Sequence, residues 1–422
     1  MPAHQASGSP AFKFDIAAPY EWAYSPGDTI IGNLVRRMPI VTSEASIKLY
    51  FFGRVKVKIT KHNLNGPEQN TVSIYRDDWQ LIASNETTVF KGPLHLAEGA
   101  DVPLSWPIRV DIPHQAMQPY GHGRHDWQSS FLPMGVEYPA ADPTKRLLPG
   151  SFYSDSDMGR SYELVEYYLK AEMNYEFGGH HKSHEAICPI TLRHQLPDPI
   201  SAPRMFKQIQ QISTYRLLPG MEDAELSFKQ HAKQIFSSSK VPRLRYELLF
   251  TVPTSIHLDD PTPLPLRLEI IPDSAGTSAS INDVAHHLRI VELEFEIHLK
   301  TQSQAPSAIL GVIHPHEHDE DLSINFERSL ADLEQPLILT TGEKRMPVDL
   351  GNIFQLSLHG WGVKAGNRKI VWDAWRMAQL RPSFMTYNIK HSHTMKWKIT
   401  FEIAGEKVKH RFALPVNILE PL

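Results

Sequence analysis

The feature that most constrains the fold is a regular alternation of apolar and polar residues along several segments of the chain. Apolar residues occupy almost every second position in five segments, at 47–59, 165–175, 291–299, 395–403 and 408–418. Successive side chains of a β-strand point to opposite faces, so a period of two is typical of strands with one buried and one solvated face. The alternation therefore predicts antiparallel β-sheets as the main structure.

The proline content argues against long helices. The 422 residues include 33 prolines, and proline removes a backbone donor and breaks the interior of a helix. Helical spacing of apolar residues is confined to two short segments, around 227–237 and 371–378. Gly53 takes an apolar position in the first alternating segment, which indicates a bulge or a close approach of another group to the backbone. The sequence therefore predicts an all-β protein.

A proline-rich segment divides the chain almost in half. Residues 197–203 hold three prolines, a composition typical of a stiff, extended connector. Many strands with turn residues between them favour β-sandwiches. We predict two antiparallel, immunoglobulin-like β-sandwich domains at 1–196 and 206–422, joined by a short hinge at 197–205.

Charge and cysteine content exclude several classes of protein. The chain has 43 Lys and Arg against 47 Asp and Glu, whereas a dedicated nucleic-acid-binding domain is usually strongly basic, so we expect no nucleic-acid partner. Cys188 is the single cysteine, which excludes an intramolecular disulfide and favours the cytosol. Its place on an apolar segment predicts a core position. No apolar run approaches the roughly 18 residues of a membrane span. We expect a cytoplasmic protein that contacts the plasma membrane or endosomes only peripherally.

Common catalytic motifs are missing from the sequence. It has no Gly-x-Ser-x-Gly elbow, no His-Glu-x-x-His zinc motif and no glycine-rich phosphate-binding loop. We therefore expect no catalytic residues, no cofactor and no enzyme activity. The paired carboxylates of a glycoside hydrolase are defined by their separation in space, so an all-β carbohydrate-binding or carbohydrate-active protein stays an alternative. Trp361, Trp372 and Trp375 would give it a sugar-stacking surface, although such rings more commonly pack in cores.

Histidine is abundant, with 22 residues, and it forms clusters at 122–125, 180–184 and 314–318. On a strand, His314, His316 and His318 would share one face, where imidazoles could bind a divalent ion or change charge between about pH 5 and 8. No spacing matches a known metal site, and histidines and acids are common in exposed loops. We therefore predict no metal site.

The polar side of the first alternating segment is basic. The candidate residues for binding anions are Arg36, Arg37, Lys48, Arg54, Lys56, Lys58 and Lys61. Clusters of this kind attract lipid headgroups or phosphorylated peptides through Coulomb forces and charge-assisted hydrogen bonds. The alternative is a solvated sheet face, because charged outer faces are ordinary in antiparallel sheets.

Six segments, in chain order, resemble segments of arrestin-like proteins. The first is YSPGDTIIGN at 24–33, which is similar to the family's Y-x-P-G-D-x-I-x-G signature. The others are the strand segment 47–57, the segment 104–113 that closes on proline, the Y-x-L-x-A segment 166–172, the segment 188–192 and the segment 382–389. The last is similar to a late segment of fungal arrestin-like proteins. The resemblance implies the arrestin fold, with two antiparallel β-sandwiches joined by a short hinge.

The same resemblance implies an adaptor that binds membrane transporters or receptors as cargo and links them to endocytic trafficking or ubiquitination machinery. Lys13 lies near the place where the family has phosphate-sensing basic residues, so it joins the anion-binding candidates. The α-arrestin branch commonly recruits a ubiquitin ligase through Pro-Pro-x-Tyr motifs. This chain has no Pro-Pro dipeptide, and its Pro19-Tyr20 and Pro119-Tyr120 pairs do not match the motif. We therefore expect a ligase to be reached through a further adaptor.

Overall fold

The computed structural model describes most of the chain, and the structural statements below concern the described residues. These are 11–19, 22–64, 70–83, 85–117, 130–132, 147–156, 160–194, 203–222, 224–235, 240–307, 311–342, 346–366, 368–371 and 380–421. Strands make up 62% of the structure and helices 7%. These proportions confirm the predicted all-β class.

The first ten strands lie in the N-terminal half of the chain. They are β1 Lys13–Ile16, β2 Ala23–Tyr24, β3 Thr29–Arg36, β4 Ile40–Leu64, β5 Asn70–Gln80, β6 Thr87–Leu96, β7 Leu104–Asp111, β8 Phe152–Ser156, β9 Ser161–Phe177 and β10 His180–Leu192. One sheet has the order β1-β3-β7. A larger sheet follows the path β2-β10-β9-β4-β5, with β6 paired to β4 and β8 paired to β9. Apart from the parallel pair of β2 and β10, these pairs are antiparallel. Inward side chains of both sheets share one apolar core.

The remaining strands form three further sheets. They are β11 Arg204–Ser213, β12 Arg243–Val252, β13 Ser255–His257, β14 Arg267–Pro272, β15 His287–Pro306, β16 Ile313–Asn325, β17 Ile338–Thr340, β18 Val348–Asp349, β19 Leu356–His359, β20 Gly362–Ala365, β21 Arg368–Val371, β22 Phe384–Met385, β23 Ile389–Ile403 and β24 Glu406–Leu419. The sheet orders are β11-β12-β14-β18, then β13-β24-β23-β15-β16 with β17 paired to β15 and β22 to β23, and β19-β20-β21. A second apolar core is built from these strands.

The helices among the described residues are short. The α-helices are α1 Phe228–Ile235, α2 Glu327–Ala331 and α3 Leu350–Phe354, and two single-turn 3₁₀-helices span Tyr215–Leu217 and Ala279–Ile281. The first confirms the helix predicted around 227–237. Most of the other predicted helix, at 372–378, lies outside the described residues, and Val371 just before it ends β21.

Strand β4 shows how the sequence pattern produces the sheet. From Ala45 to Ile59 its residues alternate between buried and half-buried, as the period of two predicts. Gly53 lies opposite Tyr167 of β9, and a Cβ added at Gly53 would come within 2.7 Å of the Tyr167 ring. The glycine therefore marks a close approach to the backbone, which was one of its two predicted roles.

The chain groups into two compact units. Unit 1 comprises Met1–Pro197, Lys300–His318 and Phe384–His391, and unit 2 comprises Asp198–Leu299, Asp319–Ser383 and Ser392–Leu422. The segments 300–318 and 384–391, which the predicted boundaries assign to the C-terminal domain, therefore group with unit 1. Of the predicted hinge at 197–205, residues 197–202 lie outside the described residues. The two-sandwich organisation with domains at 1–196 and 206–422 stays a prediction.

Candidate functional site

Four of the predicted anion-binding residues share the half-buried face of β4, at alternate positions. On this face Lys48 Nζ lies 2.9 Å from a Glu86 carboxylate oxygen, and Arg54 Nε lies 2.7 Å from Glu166. Lys56 Nζ is 3.7 Å from the same Glu166 oxygen, and Lys58 Nζ lies over the Tyr162 ring. The hydrogen bond to Glu86 raises the pKa of Lys48. Three of the four cations are thus already opposed by carboxylates of the protein.

The other four candidates occupy different positions. Lys13 on β1 and Arg37 after β3 are exposed, and Lys61 lies half-buried toward the end of β4. Arg36 is only 3% exposed, and its guanidinium donates to the carbonyl oxygens of Ala11, Met38 and Pro39. The structure therefore gathers the β4 residues on one face, while Arg36 holds backbone carbonyls inside unit 1.

The histidine clusters mostly contact other side chains of the protein. His314, His316 and His318 fall on one face of β16, as their spacing predicts. His314 stacks on the Tyr75 ring at 3.7 Å, and His316 Nε2 lies 2.9 Å from the Ser156 hydroxyl. Burial and, to a smaller extent, the charge of Lys61 lower the pKa of His314. The cluster at 122–125 lies outside the described residues, and Cys188 is half-buried at the margin of the unit 1 core, where burial raises the pKa of its thiol.

One group of possible metal ligands lies elsewhere. Glu296, His298 and Asp321 of unit 2 place their ligand atoms within 4.8 Å of one another. Lys396 Nζ is 2.6 Å from Glu296 and 3.5 Å from Asp321, so its ammonium group contacts both carboxylates and offsets part of their charge. The arrangement is a cross-strand ion-pair cluster on an outer sheet face, which is a common structural feature.

A chain of hydrogen bonds in unit 2 joins a serine, a histidine and an aspartate. The Ser357 hydroxyl lies 3.1 Å from His359 Nε2, and His359 Nδ1 lies 2.7 Å from Asp259 Oδ1. The Trp361 ring stacks on the imidazole with the ring centroids 4.9 Å apart. Of the other proposed sugar-stacking rings, Trp372 and Trp375 lie outside the described residues. A Ser-x-His spacing on one strand could have signalled the first contact, but nothing in the sequence pairs His359 with an aspartate 100 residues away.

A buried carboxyl group lies on β9 in unit 1. Glu163 is 1% exposed, accepts a hydrogen bond from the Ser303 hydroxyl at 2.7 Å, and has no hydrogen-bond partner for its other oxygen within the described part of the chain. Burial raises the pKa of Glu163 to about 7. Continuing the alternation of 165–175 back by two residues places Glu163 in the inward register, so the sequence did contain a signal for it.

A cleft of about 420 Å³ lies at the end of β7 in unit 1, lined there by Arg109, Val110 and Asp111. We call it the β7 cleft. Its lining is Leu49, Phe51, Leu81, Ile82, Ala83, Asn85, Thr87, Arg109, Val110, Asp111, Pro113, Gln115 and Met117. Leu49 and Phe51 are buried residues of β4, and Arg109 and Asp111 are exposed and form an ion pair at 3.4 Å. The cleft therefore combines an apolar floor with a charged rim.

Comparison with known proteins gives no relative from which a function could be transferred. No protein-family profile matches the sequence, and no curated protein matches it. In the described residues, no helix is long and apolar enough to cross a membrane.

Proposed function

We propose that this chain is an arrestin-like adaptor that holds an extended segment of a membrane transporter or receptor and links it to endocytic trafficking or ubiquitination machinery. The observation that carries the proposal is the β7 cleft, which lies at the end of a terminal strand of the three-stranded sheet. The segments similar to arrestin-like proteins support the same proposal, and the recognition itself requires no chemistry.

The edge of β7 supplies the backbone contacts for such a segment. Residues Leu104–Asp111 pair with β3 along the whole of β7, and β7 is the last strand of its sheet in the described part of the chain. A terminal strand directs about half of its N–H and C=O groups away from its neighbour. An extended peptide can pair with these groups and so continue the sheet.

The cleft supplies specificity. Leu49 and Phe51 lie two residues apart on β4, which is the spacing of successive inward side chains in a strand. A peptide paired with β7 would direct its alternate side chains toward this floor. The volume of the cleft is within the usual range of ligand sites, about 300–1,000 Å³. We therefore propose a cargo segment with apolar residues at alternate positions and polar residues between them, facing Arg109 and Asp111.

Anionic lipids and phosphopeptides are further proposed partners. Because carboxylates oppose Lys48, Arg54 and Lys56, the β4 face has little positive charge left for a ligand. Lys13 and Arg37 are exposed and are the better candidates for such a contact. Contact with anionic lipid would place the adaptor at the cytoplasmic face of the plasma membrane or endosomes.

The test blocks the β7 cleft with a large side chain and measures whether the cargo proteins are still recovered. Proximity labelling in the native cell would compare the wild-type chain with Ala83→Trp, which places an indole at the cleft, and with Val41→Trp, an exposed β4 position that does not line it. We expect wild type and Val41→Trp to enrich transporters or receptors together with trafficking or ubiquitination proteins. Ala83→Trp should reduce that enrichment by about tenfold or more, a loss of about 1.4 kcal/mol. Equal enrichment with Ala83→Trp, or no membrane protein with wild type, would contradict the proposal.

A further inference from the structure

We propose that Ser357, His359 and Asp259 form a nucleophilic serine relay that hydrolyses small, activated esters. The three residues belong to unit 2, whereas the β7 cleft belongs to unit 1, so this inference goes beyond the adaptor function and does not depend on it.

Strand β19 fixes the serine and the histidine. Ser357 and His359 are two residues apart, so their side chains project from the same face, while Leu356 and Leu358 are buried in the core of unit 2. The packing of the two leucines holds the strand, and thereby the 3.1 Å contact between the Ser357 hydroxyl and His359 Nε2. This distance is within the range expected between a nucleophile and its base.

A turn after β13 supplies the third member. Asp259 has a φ of +58°, in the left-handed region that costs a non-glycine residue roughly 1 kcal/mol or more. Its backbone N–H donates to the Leu358 carbonyl at 2.8 Å, which ties the turn to the middle of β19. The turn therefore stays in place without the side chain, and the carboxylate is free to orient His359.

The chemistry of the groups fixes the direction of the hydrogen bond to Asp259 and, in the neutral imidazole, that of the hydrogen bond to Ser357. A carboxylate only accepts hydrogen bonds, so His359 Nδ1 carries the proton and donates it to Asp259. In the neutral imidazole Nε2 then has a lone pair and accepts from the Ser357 hydroxyl. This tautomer is the one that a general base needs in order to take the serine proton.

Exposure limits what can reach the serine. The His359 side chain is 17% exposed and that of Asp259 is 45% exposed, whereas Ser357 is only 7% exposed. The Trp361 ring covers one face of the imidazole. Only a short acyl group reaches the Ser357 oxygen under these conditions, so we propose small esters with a good leaving group as the substrate class.

The proposed reaction proceeds in two balanced steps. Ser357 Oγ forms a bond to the ester carbonyl carbon, its proton passes to His359 Nε2, and the C–O bond to the alcohol breaks as the imidazolium gives that proton to the leaving oxygen. Water then attacks the acyl-serine by the same route, which releases the carboxylic acid and restores the serine. Asp259 stays ionised throughout and stabilises the imidazolium.

The test is covalent labelling of the full-length chain with a fluorophosphonate, together with hydrolysis of p-nitrophenyl acetate. We expect a phosphonyl adduct located at Ser357 by peptide mass spectrometry, and loss of that adduct in Ser357→Ala. Ser156→Ala is the matched control, because Ser156 makes the comparable contact with His316 Nε2 in unit 1. It should leave labelling and hydrolysis unchanged.

A second variant separates a relay from a structural contact. Asp259→Asn keeps the shape of the turn residue but favours the opposite tautomer, in which Nε2 carries the proton and cannot accept from Ser357. We expect it to slow labelling by about 10³- to 10⁴-fold, with an unchanged circular-dichroism spectrum. Absence of a Ser357 adduct in the wild-type chain, or an unchanged rate in folded Asp259→Asn, would overturn the inference and leave the cargo test unaffected.

Discussion

Glu163 and Glu166 lie three residues apart on β9, are 1% and 2% exposed, and have different partners. Glu166 is opposite Arg54, whose Nε lies 2.7 Å from its carboxylate, and Lys56 Nζ lies 3.7 Å away. Glu163 is opposite Val57 on the inward side, where the Ser303 hydroxyl donates one hydrogen bond to it. The odd spacing along the strand sends the two carboxyl groups to opposite faces of the sheet.

The comparison teaches that the partner, rather than the depth of burial, decides what a buried carboxyl group does. The two residues are 1% and 2% exposed. A guanidinium balances the Glu166 charge, whereas burial, only partly offset by the Ser303 hydrogen bond and the charge of His318, raises the pKa of Glu163 to about 7. Glu166 therefore joins two strands as an ion pair, and Glu163 changes its charge near neutral pH.

The largest expected change in the free energy of unfolding comes from removing the ion pair between Arg54 and Glu166. Arg54→Met removes the guanidinium that lies 2.7 Å from the buried Glu166 carboxylate, and removing one partner of a buried pair costs about 3–5 kcal/mol. Urea unfolding at pH 7 should show this loss in the free energy of unfolding. The double variant Arg54→Met with Glu166→Gln should recover much of it. A loss below about 1 kcal/mol in the single variant would show that solvent already balances the charge.

Glu163→Gln should change the free energy of unfolding in the opposite direction and stabilise the fold. The folded-state pKa of about 7 is higher than the ordinary value of 4.5, so the folded chain binds the extra proton, and stability falls as the pH rises from 4.5 through 7. The variant removes the charge and should gain roughly 3 kcal/mol above pH 7 and almost nothing below pH 4.5. Urea midpoints at pH 4.5 and 8.5 measure the difference. Glu166→Gln is the matched control and should lose stability at pH 8.5. If the two variants changed stability equally, the proposed difference between Glu163 and Glu166 would be wrong.

The sequence predicted the strands and their faces but not the partners across them. The alternation placed Arg54 and Val57 on opposite sides of β4, and the structure confirms both positions. Glu166 pairs with Arg54 across 112 residues, and Ser303 reaches Glu163 across 140 residues. Such pairs depend on strand order and register, which a single sequence does not contain.

The dependence of contacts on strand order and register also explains which site residues were predicted from the sequence. The alternation predicts the basic side of β4. It does not predict the opposing carboxylates, because Glu86 comes from the segment before β6 and Glu166 from β9. Arg36 was expected to bind anions, yet it lies buried against backbone carbonyls. The histidine excess was unexplained by the sequence, and the structure places four of these residues in buried positions, namely His286, His391, His393 and His410.

The smallest loss in the free energy of unfolding should come from substituting Lys56, the second cation beside Glu166. Its Nζ lies 3.7 Å from the carboxylate, beyond the usual hydrogen-bond distance, whereas Arg54 Nε lies 2.7 Å from it. The two side chains are 24% and 20% exposed, so the distance rather than the exposure separates them. Lys56→Gln should therefore cost about 0.5 kcal/mol, and the loss should change little in 1 M salt, because salt screens a partly buried pair much less than an exposed one. Urea unfolding beside Arg54→Met makes the comparison. A loss as large as that of Arg54→Met would mean that the two cations share the Glu166 charge equally, whereas a small one assigns the pair to the 2.7 Å guanidinium contact.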